Sequence, residues 1–299
     1  MTAEFTRRDF ISAGTGMMLL RDKPTKRLVD SHVHVWKLDP RFPFAEGATV
    51  PGIDASAEAL LEKMQANGIS RTVLIQVIHY KYDNSYLVDT LKRLPGRFAG
   101  VCRVDPNDRA APEHLSRWTE LGCRGVRLSP AADASGDWIK GSLMKPLWRR
   151  CSELQIPMTL LLPVSRLKDV MPLVEAHPDL TVVIDHMADC AVDDPVQLSQ
   201  LNAMARYPKV FVKISHMWSL SRQKYPYADA GAMVARVRDA FGAERLMWGT
   251  DWPIKPELAS YERRVALYAQ ERNTPFFSEQ GREEILWRTV DRVWPASAD

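Results

Sequence analysis

The chain has 299 residues, 45% of them hydrophobic and 26% charged, with a formal net charge of +3. That composition is ordinary for a globular protein with ample length for a large core. The small charge and the lack of a long basic run argue against nucleic acid as a partner. No apolar stretch approaches the ~20 residues that span a bilayer, so no membrane partner is expected.

Cys102, Cys123, Cys151 and Cys190 form no Cys-x-x-Cys pair and read as free, mostly buried thiols. At the N-terminus, Thr6-Arg7-Arg8-Asp9-Phe10-Ile11 has the pattern of a twin-arginine export signal. The weakly apolar stretch from Ser12 to Leu20 follows, without a clear small-x-small cleavage site. Residues 1–24 are read as a leader, degenerate or functional, outside a single domain over 25–299. The alternative is an uncleaved tail. The location is cytoplasmic, or periplasmic if the leader functions.

From Lys26 onward, short β-rich runs alternate with helical patterns. Residues 28–36 alternate like a strand, with Asp30, His32, His34 and Trp36 on one face and Val29, Val33 and Val35 on the other. Two histidines at i, i+2 converge on one point in front of the strand. That suits a metal ion, or a polarised carbonyl and its attacking water; a backbone-bonded pair of core histidines is the alternative. Residues 42–52, rich in Pro and Gly, read as an excursion over the strand's C-terminal end. The spacing predicts a helix over 55–67, capped by Ser56, striped by Leu60, Leu61 and Met64, and ended by Gly68. Further strands are expected at 72–77, 98–104, 123–128, 157–162, 181–186, 210–215 and 245–251. Helices are expected over 86–94, 112–121, 143–155, 164–177, 196–206 and 228–241, with a terminal helical region over 260–293. Eight near-continuously apolar strands alternating with helices describe an α/β fold, a single (β/α)8 TIM barrel. An open doubly wound sheet is the runner-up, but no glycine-rich phosphate loop follows the first strand.

In such a barrel the site lies at the C-terminal ends of the strands. His32 and His34 fall near the end of strand one, Arg127 late on strand four, His186 at the end of strand six, and Asp251 at the end of strand eight. His216 follows strand seven and either lines the pocket or is structural. His114 and His177 fall in helices. An arginine forks a carboxylate, so Arg124 or Arg127 suits an anionic substrate. Residues three apart on a strand point opposite ways; pleat parity with Gly125 favours Arg127 and leaves Arg124 to a salt bridge. Lys213 lies below its strand end, to meet an anion or pair with a carboxylate. His79, Tyr80, Tyr82, Asp83 and Asn84 follow strand two, suited to hydroxyl or carboxylate recognition or simply a polar loop. Trp36 and Trp252 flank the predicted catalytic groups, as walls for a small ring or as rim packing.

This constellation resembles the amidohydrolase superfamily, most strongly its branch of sugar-lactone and 2-pyrone-4,6-dicarboxylate lactonases. The carrying residues are Asp30-Ser31-His32-Val33-His34-Val35-Trp36, Gln76 with His79, Gly125-Val126-Arg127, Asp185-His186-Met187 and Met247-Trp248-Gly249-Thr250-Asp251-Trp252-Pro253. The resemblance implies that His32 and His34 face the reacting carbonyl or a metal, that Asp251 handles the water proton, and that His186 contacts the carbonyl side of the substrate. One departure matters. Metal-dependent members place a histidine at the end of strand five, where this chain has Leu160-Leu161-Leu162-Pro163. Where binuclear members carry a bridging lysine, strand four carries Arg127, which neither ligates nor is carbamylated. A single divalent metal, zinc first, remains open at His32, His34 and Asp251. By resemblance the pyrone-dicarboxylate lactonases work without metal, and a metal-free or weakly metal-binding site is expected here.

The expected function is a hydrolase that opens a cyclic ester, with an anionic or sugar-derived lactone as its small-molecule partner. A metal-dependent decarboxylase of the same superfamily and a non-catalytic barrel binding a small acid are the alternatives. A homo-oligomer is left open.

Overall fold

The structure, a computed structural model, describes residues 27–49, 51–129 and 138–296; the leader lies outside the described residues. Eight strands form one parallel sheet in sequential order: β1 (Leu28–Val33), β2 (Ile69–Ile75), β3 (Phe98–Cys102), β4 (Cys123–Leu128), β5 (Met158–Leu160), β6 (Val182–Ile184), β7 (Val210–Lys213) and β8 (Leu246–Met247). The sheet curls into a (β/α)8 barrel. Its last seam closes beyond β8 through backbone bonds: Ser31 N to Trp248 O at 3.2 Å, Asp251 N to His32 O at 2.7 Å and His34 N to Trp252 O at 2.8 Å.

The helices form for the reasons their sequences suggest. In α1 (Ala57–Ala66), Ser56 accepts a hydrogen bond from Ala59 N as the N-cap, while Leu60 and Met64 are buried against the barrel. Burying one such side chain contributes roughly 1.5–3 kcal/mol. Similar apolar stripes seat α2 (Ser85–Arg93), α3 (Ala111–Glu120), α4 (Met144–Leu154), α5 (Leu167–Ala176), α6 (Pro195–Asn202), α8 (Ala228–Phe241) and α9 (Tyr261–Ala269). A short helix, α7 (Met217–Leu220), follows β7. No helix among the described residues is long and apolar enough to cross a membrane.

Strand parity fixes the barrel interior. Val73 and Ile75 of β2, Ala99 and Val101 of β3, Val183 of β6 and Met247 of β8 pack in one cluster with Val290, Val293 and Trp294. The C-terminal segment therefore plugs the bottom of the barrel. Arg71 on β2 anchors the plug through Asp291 Oδ1 and Trp294 O, both at 2.6 Å. Gly125 on β4 is required there: a Cβ would lie 3.0 Å from the indole nitrogen of Trp294 and 3.3 Å from Pro157 O.

The structure departs from the expected elements in two instructive ways. Strands β5, β6 and β8 are much shorter than their apolar runs, because their last residues leave the ladder to build the rim. The terminal helical region is broken: α9 ends at Ala269, a turn spans Glu271–Asn273, and helix resumes at Glu279. Pro275 lies in that gap and disfavours helix at the residue before it.

Candidate active site

Above the plug, the inward residues become polar. Lys213 at the end of β7, Asp185 just past β6 and Arg127 on β4 form a buried ionic layer. Lys213 Nζ lies 3.0 Å from Asp185 Oδ1, and Arg127 Nε donates to Asp185 Oδ2 at 2.8 Å. Burial opposes ionisation of Asp185, but Lys213, His32 and Arg127 outweigh it and hold its carboxyl well below the ordinary range.

His32, His34 and Asp251 meet above this layer. Asp251 Oδ1 lies 3.2 Å from the Nε2 atoms of both histidines, which are 3.3 Å from each other. The pairing follows from barrel closure, which seats Asp251 directly beside His32. Gly249 allows the approach, since a Cβ there would lie 2.8 Å from His32 Cβ. Asp30 braces the same seam, accepting from His32 N at 3.1 Å, Thr250 N at 2.9 Å and Thr250 Oγ1 at 2.6 Å.

The other oxygen of Asp251 accepts from His216 Nε2 at 2.5 Å. His216 stacks on His186 with ring centroids 3.6 Å apart, and His186 Nδ1 lies 2.7 Å from Ser215 Oγ. Burial would raise the carboxyl of Asp251, but the charge and hydrogen bond of His216, with His34 and His32, hold it well below its ordinary value. Burial, assisted by Lys213, pushes His32 down from 6.5 to about 3, so its ring is neutral. Burial also lowers His186, with His216 and His32 adding to the effect.

The backbone here is unusual. His186, Met187, Ala188 and Asp189 all have φ between 49° and 54°, a left-handed turn built without glycine. His216 (φ 69°), Asp251 (φ 51°) and Lys255 (φ 49°) are left-handed too. Such residues cost on the order of 1–3 kcal/mol each and concentrate at functional sites. A cavity of about 430 Å³ opens over them, lined among others by His34, Arg103, Arg127, His186, Asp189, His216, Asp251 and Lys255.

The donor set suits a divalent ion. Tetrahedral zinc, bonded at about 2.0–2.1 Å, separates its ligand atoms by about 3.3 Å. The Nε2 atoms of His32 and His34 and Oδ1 of Asp251 have that spacing, and Oδ1 is buried without a hydrogen-bond partner. Ligand atoms of His32, His186 and Asp251 also lie within 4.8 Å of one another. His186 thus joins the three residues expected from the sequence.

Residues 29–296 match the family model described as amidohydrolase. The chain belongs to the amidohydrolase family. An L-fucono-1,5-lactonase of Burkholderia ambifaria is 27% identical over 76% of this chain and 80% of its own length. A 2-pyrone-4,6-dicarboxylate hydrolase of Comamonas testosteroni is 29% identical over 75% of this chain and 76% of its own. A Pseudomonas putida crystal structure carrying the 2-pyrone-4,6-dicarboxylic acid hydrolase name superposes with a TM-score of 0.75, at 27% identity, covering 92% of this chain and 100% of that one. A zinc-bound amidohydrolase structure from Burkholderia multivorans, 21% identical, shares the fold with a TM-score of 0.74, covering 91% of this chain and 100% of that one.

Within this amidohydrolase, the residues chosen from the sequence divide into two groups. His32, His34, His186, His216, Asp251 and Arg127 are brought together at one end of the barrel. Arg124 is not: it points outward, toward Thr119 O and Cys123 O. Trp36 turns away to donate to Ile53 O, because β1 ends at Val33 and the pleat no longer governs its direction. His79 sits in a 3-10 turn with its ring against Trp36 and Phe44. Trp252 packs against Tyr261, while its backbone pairs with Val33. None of these four lines the cavity. Arg103, Asp189 and Lys255 do, and the sequence reading passed over them. Arg103 was findable: it shares inward parity with Ala99 and Val101 and follows β3 at the active rim.

Proposed function

We propose that the protein hydrolyses a lactone bearing an anionic or hydroxyl-rich substituent. The observation that carries this reading is the convergence of His32, His34 and Asp251 on one point under a cavity walled by Arg127 and Arg103. The lactonase names of the relatives support it.

In this reading the ring carbonyl lies over the two imidazoles and the substituent reaches Arg127. Asp251, held ionised by His216, accepts a proton from water as the water oxygen bonds to the carbonyl carbon. His32, with its proton on Nε2, donates to the developing oxyanion. Collapse breaks the acyl C–O bond of the ring, and the ring oxygen leaves as an alcohol with the proton that Asp251 had taken. A divalent ion at His32, His34 and Asp251 would supply Lewis-acid polarisation of the carbonyl. His216 orients Asp251, and Arg127, itself fixed by Asp185, holds the substrate.

The test is a panel of aldono- and carboxylated lactones, followed by proton release, before and after prolonged chelation. Ring opening that survives chelation is expected. Loss of activity on chelation, restored by one equivalent of zinc, would give the ion the leading role; no ring opening under either condition would sink the lactonase reading. Carbon dioxide release from an aromatic acid would favour a decarboxylase.

A further inference from the structure

The mechanism leaves Lys213 without a task, yet its burial is complete. Its ammonium lies 3.1 Å from Nδ1 of His32, in hydrogen-bonding geometry, as well as 3.0 Å from Asp185 Oδ1. Behind it the Trp294 ring centroid is 5.2 Å away. Paired with the Asp185 carboxylate, the ammonium has no lone pair, so toward His32 it can only donate. A neutral imidazole carries one proton. If Nδ1 accepts from Lys213, that proton sits on Nε2, the atom that faces Asp251 and His34.

Nδ1 has a second neighbour, Asp185 Oδ1, at 3.3 Å. The lysine is the nearer of the two to Nδ1, at 3.1 Å, and it already engages that oxygen at 3.0 Å. The two neighbours favour opposite tautomers. Lysine puts the proton on Nε2 and makes His32 a donor toward the cavity. The carboxylate would draw the proton to Nδ1 and bare the Nε2 lone pair, the arrangement metal-ligating histidines adopt.

We propose that Lys213 is a positioning residue that holds His32 as the Nε2–H tautomer and thereby keeps divalent ions weakly bound at the His32, His34 and Asp251 donor set. A cation taking the Nε2 lone pair must first displace that proton to Nδ1, against the lysine. It must also tolerate the lysine's positive charge behind the same ring.

Two measurements test this, neither using a lactone, so their failure is separate from failure of the lactonase reading. The first is zinc affinity at fixed pH, by competition with a chromophoric chelator, for the apo wild type and Lys213→Met. Methionine fills the site but leaves Asp185 as the hydrogen-bonding neighbour of Nδ1. Zinc should bind roughly 10–100-fold tighter to the variant, the size of effect that partners of ligating histidines have. Unchanged or weaker binding by a folded variant overturns the proposal. The second needs no variant at position 213: 15N spectra of histidine-labelled apo wild type, with His32 assigned by its loss in His32→Gln. An Nε2–H signature is expected; an Nδ1–H signature overturns the proposal even if Lys213→Met does not fold.

Discussion

Replacing Asp251 by Asn separates binding from proton transfer. The geometry allows the amide to be accommodated. His34 Nδ1 lies 2.7 Å from Ile75 O, a carbonyl that can only accept, so in the neutral ring the Nε2 lone pair faces Asp251. The amide nitrogen can donate to it, while the amide oxygen accepts from His216 Nε2 as Oδ2 does now. The cavity wall therefore stays in place, and KM should change little. What is lost is the acceptor for the water proton. Removing a general base costs about 10²–10⁴-fold, equivalent to roughly 3–5 kcal/mol of barrier. Steady-state lactone hydrolysis followed with a pH indicator, paired with thermal unfolding, reads both effects. A variant that turns over at the wild-type rate, or that loses only KM, would show that another group takes the proton.

Three further outcomes are expected. Arg127→Lys should raise KM for an anionic lactone roughly 10–100-fold, more than it lowers kcat, because one ammonium cannot serve both Asp185 and a substrate carboxylate; an unchanged KM would make Arg127 purely structural. Gly249→Ala should cost about 1–3 kcal/mol in denaturant unfolding and reduce kcat by more than the unfolded fraction explains, since its Cβ would lie 2.8 Å from His32 Cβ; normal turnover would refute this. For pH, His32 and His186 have folded values below 6.5, so the stability they contribute is present above pH 6.5 and is lost as pH falls. Asp30 runs the other way: burial, only partly offset by its Thr250 hydrogen bonds, raises it from 3.8 to about 7, so its contribution is full below 3.8 and is lost as pH rises to about 7. Unfolding free energy should therefore decline on acidification from pH 6.5 to 4, and Asp30→Asn should steepen the decline by about 1.4 kcal/mol per pH unit. A shallower slope in the variant would count against this account.

Much of this was readable from the chain because parallel barrel strands are buried on both faces and so appear as apolar runs. Parity then separated Arg127 from Arg124, and strand ends located His32, His186 and Asp251. Parity stops where the pleat stops: Trp36, which alternation puts on the inward face of strand one, lies beyond Val33 and turns to Ile53 O instead. The left-handed turn at His186–Asp189 carries no glycine and left no sequence signal, so Asp189 was missed. The role of Asp185 was hidden for another reason: its partners come from β4 and β7, and nothing local in the sequence pairs them.

The seam between the first and last strands has a consequence for how activity arises during synthesis. Ser31 and Trp248 are 217 positions apart, yet they and their neighbours share the hydrogen bonds that close the ring. The histidine pair is made early and must wait for nearly the whole chain before its carboxylate arrives. On the proposed mechanism, a truncated barrel lacking the last strand should be inert, however well its earlier units have folded, and turnover would report ring closure. A circular permutant that links the native termini and opens between two middle units would shorten the chain path from Asp251 to His32, so that their contact closes a smaller loop.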